Sequence, residues 1–531
     1  MRAALISSIR IAFFSALFPA LFPALLPALL PAFFSALLFA SLTASAAGDA
    51  HGEGADSVTM HHRTPDRSGQ YVVPGLTWQR AAHLQRDTGF DGKIEGAVNA
   101  QPLYWHSADT GAGAQSNGLL IVATETNAVY ALDATTGRTV WRTALGPAVP
   151  RSAMPCGNID PLGVTGTPVI DAASGTLYLD AMVLREGQPR HFVFGLSLRD
   201  GTVQKGWPLD MEAALKTRGV AFTSRAQNQR SALALMDGQL FVPYGGNWGD
   251  CGDYRGMVVS VRLDHPGVAN VWATRAAKGG IWAPGGIAAA DGQLFVSTGN
   301  TEGTRTWGDG EAVIRLRPDL RHSADSRDFF APADWKQLDD ADLDLSGVNP
   351  VPIDLHGRKL IVALGKDGKA YLLDRENLGG IGGALDVARV SSSSMRTAPA
   401  SWATADGVFI AFQGAGSACP SGEAGAGLTV LRVASASRGG IGTAWCAALD
   451  GAGSPITTTS DGNADRIVWV VGAEGDERVH GFRADNGEPV FTGGSAQERV
   501  PGVRHFATML AANQRLYVAG DGRVYAFKAG Q

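Results

Sequence analysis

Charge is scarce in this sequence and evenly split. Lys and Arg number 45 and Asp and Glu 50, together 18% of the chain with a formal net charge of -5, and no Lys/Arg run exceeds a few residues. A polyphosphate partner is held by clustered cations, so nucleic-acid binding is excluded. Cysteine is scarcer still: Cys156, Cys251, Cys419 and Cys446 are the only four, no two are adjacent, and none sits in a C-x-x-C pair. That spacing excludes zinc ribbons, c-type haem attachment and thioredoxin-like redox pairs. Walker-type loops, HExxH helices and G-x-S-x-G elbows are also missing, which removes P-loop, zincin and α/β-hydrolase chemistry.

What is abundant is glycine, at 68 residues, with 26 prolines and 45% apolar residues. Short strands joined by tight turns suit that composition better than helices do, so the expected class is all-β.

The N-terminus reads as an export signal. Arg2 and Arg10 precede an apolar stretch from Ile11 to about Leu42, and small residues follow at Thr43-Ala44-Ser45-Ala46-Ala47. A basic start, an apolar core and an Ala-x-Ala site predict a signal peptide over 1–47 and a periplasmic or secreted mature protein with no membrane span. An uncleaved anchor is the alternative, since the core is long, although Pro19, Pro23, Pro27 and Pro31 disfavour a straight membrane helix. Residues 48–70 read as a polar, disordered linker in which His61 and His62 are a solvated pair instead of metal ligands. The remaining 71–531 form the folded domain.

One apolar pattern recurs along that domain: Leu120-Ile121-Val122, Leu177-Tyr178-Leu179, Leu240-Phe241-Val242, Leu294-Phe295-Val296, Leu360-Ile361-Val362, Val408-Phe409-Ile410, Ile467-Val468-Trp469 and Leu516-Tyr517-Val518. Turn signals such as Asp237-Gly238 and Asp291-Gly292 precede the triplets, glycines such as Gly245 and Gly299 follow them, and the intervals run from 48 to 66 residues. Each interval accommodates one four-stranded antiparallel blade, so the pattern predicts a single eight-bladed β-propeller. The last unit ends at Val524-Tyr525-Ala526-Phe527 without an outer strand. Leu76 to Arg80 is the N-terminal strand expected to pair there and close the ring, because closure removes exposed sheet edges.

In the first unit Ala131-Leu132-Asp133-Ala134-Thr135-Thr136-Gly137-Arg138-Thr139-Val140-Trp141 places Ala, Asp, Gly and Trp at fixed offsets. It resembles the tryptophan-docking repeat of quinoprotein-type propellers. Cys156-Gly157-Asn158-Ile159-Asp160, Gly279-Gly280-Ile281-Trp282 and Lys366-Asp367-Gly368-Lys369-Ala370-Tyr371 extend the likeness. From about 70 to 530 the chain resembles bacterial exported PQQ-binding-like (quinoprotein alcohol dehydrogenase-like) propeller repeat proteins. The resemblance implies PQQ and calcium in the central channel and an alcohol or sugar dehydrogenase. The vicinal Cys-Cys pair of the alcohol dehydrogenases is missing here, so no cofactor is assigned, and a fold alone licenses no activity.

In an exported chain the four cysteines read as disulfides. Cys156 with Cys251 and Cys419 with Cys446 are the favoured pairs, because the first two lie in loops expected on one face and the second two within the sixth unit. Asn300 with Glu302 and Asp250 with Asp253 are the oxygen-rich loops, but glycine-rich turns use such residues for backbone reasons, so no metal is assigned. Binding or scaffolding at the channel mouth is the expected function. Candidate ligand-binding residues are Asn228, Arg230, Trp282, Lys366 and His505, with Trp248 and Arg396 near the same face. Trp282 beside Arg230 is the combination expected to hold a planar ligand or to pair internally. His505 has no Ser or Asp partner that sequence can place. The expected partner is an envelope protein, as for outer-membrane assembly propellers, or a peptide or glycan, and nothing in the loops implies more than a monomer.

Overall fold

Each of the eight triplets lies in the second of four antiparallel blade strands, to which three of the sheets add a fifth, and all but Phe409 are buried. The reason is geometric. A second strand is hydrogen-bonded on both edges and covered on both faces by the neighbouring blades, so it reads as an apolar run without alternation. The computed structural model describes residues 56–107, 118–323, 325–420, 422, 427–434 and 440–530; the signal segment expected over 1–47 lies outside them.

The eight sheets follow one another around a closed ring, an all-β eight-bladed propeller. Their inner strands are Leu103–Trp105, Val169–Asp171, Ala234–Met236, Ala288–Ala290, Val351–Leu355, Ala400–Thr404, Ile456–Thr459 and Leu510–Ala512, in blades 1 to 8. Blade 1 continues through Leu119–Ala123, Ala128–Asp133 and Thr139–Ala144, with Leu120 opposite Leu132 and Ala131 opposite Trp141. Its last turn carries out what the repeat implies. Asp133 Oδ1 accepts from the Thr135 and Thr136 backbone N–H groups at 3.1 and 2.7 Å, and Gly137 sits at φ +72°, where a side chain would strain the backbone and meet Asp91.

The apolar core lies between blades. Trp141 donates from Nε1 to the Leu198 carbonyl at 2.9 Å, tying blade 1 to blade 2, and Trp445 reaches Ala484 at 3.0 Å, tying blade 6 to blade 7. Each indole buries a large apolar area while its one polar atom is satisfied. Both disulfides join the expected partners, Cys156 with Cys251 and Cys419 with Cys446. Among the described residues no helix is long and apolar enough to cross a membrane.

Two expectations are corrected. The ring is closed by an N-terminal strand, but that strand is Leu84–Arg86, antiparallel to Arg523–Ala529 with Leu84 opposite Ala529. Residues Trp78–Ala81 are instead one helical turn, because the Thr77 hydroxyl caps the Arg80 N–H. Trp78 still docks, donating to the Arg466 carbonyl at 3.2 Å with the Arg483 guanidinium 3.9 Å from its ring centroid. The second correction concerns the expected linker. From Ser57 onward it is not solvated: Val58, His61, His62 and Arg67 are each 2% exposed or less. Val58 pairs with Tyr104, and Gln70–Val72 adds a parallel strand inside Ile456–Thr459. Polar residues here satisfy backbone groups of the inner strands, which composition alone reads as solvation.

Candidate functional site

In every blade the loop after the second strand and the segment leading into the inner strand open toward one end of the channel. Successive blades therefore contribute side chains at equivalent places. They enclose a cavity of 810 Å³, within the size range of small-molecule sites. Asn228, Arg230, Trp282 and His505 reach it from the lead-in segments, and Lys366 from a loop after a second strand. The five residues singled out in the sequence thus line one cavity, together with Trp248 and Arg396.

Their pairing differs from the one expected. Arg230 lies over the ring of Phe506 at 4.9 Å, whereas Trp282 faces the ammonium of Lys366 at 5.1 Å. Arg230 Nη2 donates to His505 Nε2 at 3.3 Å, and His505 Nδ1 lies 2.8 Å from Glu474 Oε1. A guanidinium can only donate, so Nε2 is an acceptor and the imidazole proton sits on Nδ1, directed at Glu474. Burial, with Arg230 beside it, lowers His505 below the usual histidine range against the pull of Glu474. Burial brings Arg230 itself down to about 10, opposed by the charges of Glu125 and Glu474. Burial also pushes Glu125 up to about 7, although it accepts from Gly163 N–H at 2.8 Å and Asn99 Nδ2 at 2.6 Å.

On the opposite wall Lys366 forms ion pairs with Asp344 and Asp342. Asp344 also accepts from the Asn300 N–H at 2.8 Å. Burial raises the Asp344 carboxyl and Lys366 draws it partly back. Trp248 stands at the rim, 68% exposed, on a loop tied down three residues later by the Cys156–Cys251 bond.

Glu125, Glu474, Asp342 and Asp344 were not anticipated. For the first two a signal existed: both follow a triplet by a few residues, as Lys366 and Asn300 do, so the repeat period points to them. The acidic loops around Asp250 and Glu302 are engaged locally. Asp250 accepts from Tyr254 Oη, and Glu302 lies 3.7 Å from Lys278 Nζ. Among the described residues no group of three or more His, Cys, Asp or Glu side chains is placed to hold a metal ion.

Known proteins reproduce the architecture. The family model described as outer membrane protein assembly factor BamB matches residues 66–205. Quinohemoprotein alcohol dehydrogenase from Pseudomonas putida HK5 superposes with a TM-score of 0.60 at 14% identity, over 90% of this chain and 80% of that one. The quinohemoprotein alcohol dehydrogenase of Comamonas testosteroni gives 0.60 at 14%, over 90% and 81%. A europium-containing methanol dehydrogenase gives 0.55 at 13%, over 88% and 90%. No curated protein matches the sequence. At these identities the likeness is one of fold, and with the repeats and the closed ring it identifies this chain as an eight-bladed β-propeller.

Proposed function

We propose that the protein is an exported binding protein whose channel-mouth cavity holds a small, flat ligand carrying acidic groups. The observation behind this reading is Arg230: a half-buried guanidinium lining the cavity, hydrogen-bonded to a neutral imidazole. The charges of Glu125 and Glu474 reach it without forming a direct ion pair with it, and an acidic ligand would supply that pair. Trp282 would offer an aromatic face, and Arg396, exposed at the rim, a second cation. Two disulfides suit an oxidising compartment, in keeping with a cleaved signal and a periplasmic or secreted monomer.

The donor set fits PQQ and does not fit calcium. Trp282, Arg230, Arg396 and Lys366 would hold the quinone. Among the described residues no third carboxylate or imidazole joins Asp342 and Asp344 as a cation site, and Lys366 pairs with both, so no step is derived through a metal. One observation favours a second reading, oxidation of an alcohol or sugar: the buried Asp344 carboxyl on the cavity wall. When bound, the quinone supplies a two-electron acceptor. Asp344 would take the hydroxyl proton, and Lys366 would hold the carboxylate ionised.

Isothermal titration of the mature protein with PQQ, without added calcium, tests both readings. One-to-one binding lost in Trp282→Ala and weakened at least tenfold in Arg230→Met is expected. Reduction of an artificial electron acceptor upon adding alcohols or sugars would select the enzyme. Absence of PQQ binding together with co-purification of an envelope protein would leave a scaffold.

A further inference from the structure

Residues 57–72 make contacts that a linker does not make. The segment crosses the ring on the inner-strand side and touches seven of the eight blades. Its carbonyls accept the inner-strand N–H groups of Tyr104 in blade 1, Ile170 in blade 2, Ala289 in blade 4, Ser401 in blade 6 and Thr457 in blade 7, at 2.8 to 3.1 Å. Blade 3 is reached by Arg67, whose guanidinium donates to the carbonyls of Leu233, Ile287 and the segment's own His61 at 2.8, 2.9 and 3.0 Å. Blade 8 is reached by His61, whose Nε2 lies 3.3 Å from Thr508 Oγ1.

These are the contacts of a peptide in a receptor: main-chain hydrogen bonds to exposed strand edges supply affinity, and one buried cation reads a fixed arrangement of carbonyls. The ring does not need the segment for closure, which is made later in the chain by Leu84–Arg86. Between the two lie Pro74 and Gly75, both exposed. The segment is thus topologically separable from the propeller that holds it.

We infer that the axial channel is a peptide-binding site for a segment that turns at its centre and carries a buried arginine, and that its occupant is this chain's own residues 57–72. His61 shares a small chamber of about 10 Å³ with Arg230, His505 and Phe506, three residues that also line the cavity. Its imidazole Nδ1 is buried there with no partner among the described groups, and a chamber of that size accommodates a single water.

The test uses the whole chain with a protease site inserted between Pro74 and Gly75. After cleavage the N-terminal fragment should co-elute with the ring in native gel filtration. A labelled synthetic peptide of residues 56–73 should exchange into the channel at one per ring, and the same peptide carrying Arg67→Met should compete about a hundredfold more weakly. Two results would each overturn the inference. One is a fragment that elutes separately from the intact ring. The other is a fragment released only when the ring unfolds, with no exchange, which would make it an integral part of the fold. The readout involves no cavity ligand, so it stands or falls apart from the proposed function.

Discussion

At the scale of single residues, the channel axis holds titratable groups that burial pushes in opposite directions. His62 is brought down to about 4 and His61 well below its ordinary value, by burial first. Both imidazoles are neutral in the ring but charge in the unfolded chain below about 6.5. Their contribution is therefore complete above that pH and drains away as pH falls toward 4, by about 3 kcal/mol for His62. Glu125, raised to about 7, behaves oppositely. Its contribution is complete below about 4.5 and is lost as pH rises through 7. In the parent protein these slopes oppose each other between about pH 4.5 and 6.5. Urea denaturation across that range should show stability rising more steeply with pH in Glu125→Gln. In His62→Gln it should rise less steeply or fall. Identical profiles in all three proteins would mean that neither group is buried in its described state.

At the scale of elements, the docking tryptophans and the disulfide-tied loops do different work. Trp141 fastens one sheet to the next through 57 residues of separation, so its loss leaves a cavity and an unsatisfied Leu198 carbonyl. Trp141→Ala should cost about 3 to 5 kcal/mol and Trp141→Phe less, measured by chemical denaturation. The docking motif was legible because Asp133, Gly137 and Trp141 act within a single hairpin. Trp78 misled for the same reason. Its indole docks between blades as a repeat tryptophan would, but the local Thr77 cap turns its backbone into a helix, and the closing strand falls six residues later on Leu84–Arg86. A three-residue strand carries too little pattern to be distinguished from its surroundings.

At the scale of the whole molecule, closure couples the two ends of the chain. Leu84, buried in the core shared by blades 7, 8 and 1, lies on the strand that converts an open array into a ring. Leu84→Asp should shift the entire unfolding transition, with tryptophan fluorescence and far-UV circular dichroism moving together. Separate transitions would mean that blade 8 opens independently of the ring. The cavity is likewise a property of the ring, since Arg230 and His505 are 275 residues apart and meet only because closure brings the lead-in segments of blades 3 and 8 to the same channel mouth.

The division between what sequence determined and what folding decided follows from the range of the interactions. Blade number and the buried second strands were readable because each depends on an apolar run or a turn repeated within one blade, and the disulfide partners because their loops share a face or a blade. Channel-mouth residues were readable as a set because they recur at equivalent places in the repeat. Their pairing was not: Arg230 with Phe506 and His505, or Trp282 with Lys366, is set by which side chains of different blades the closed ring brings together at the channel mouth. The axial segment is the extreme case. Its composition is that of a solvated linker, and only the closed ring, by presenting carbonyls 166 and 220 residues away to Arg67, gives those polar groups partners and buries them.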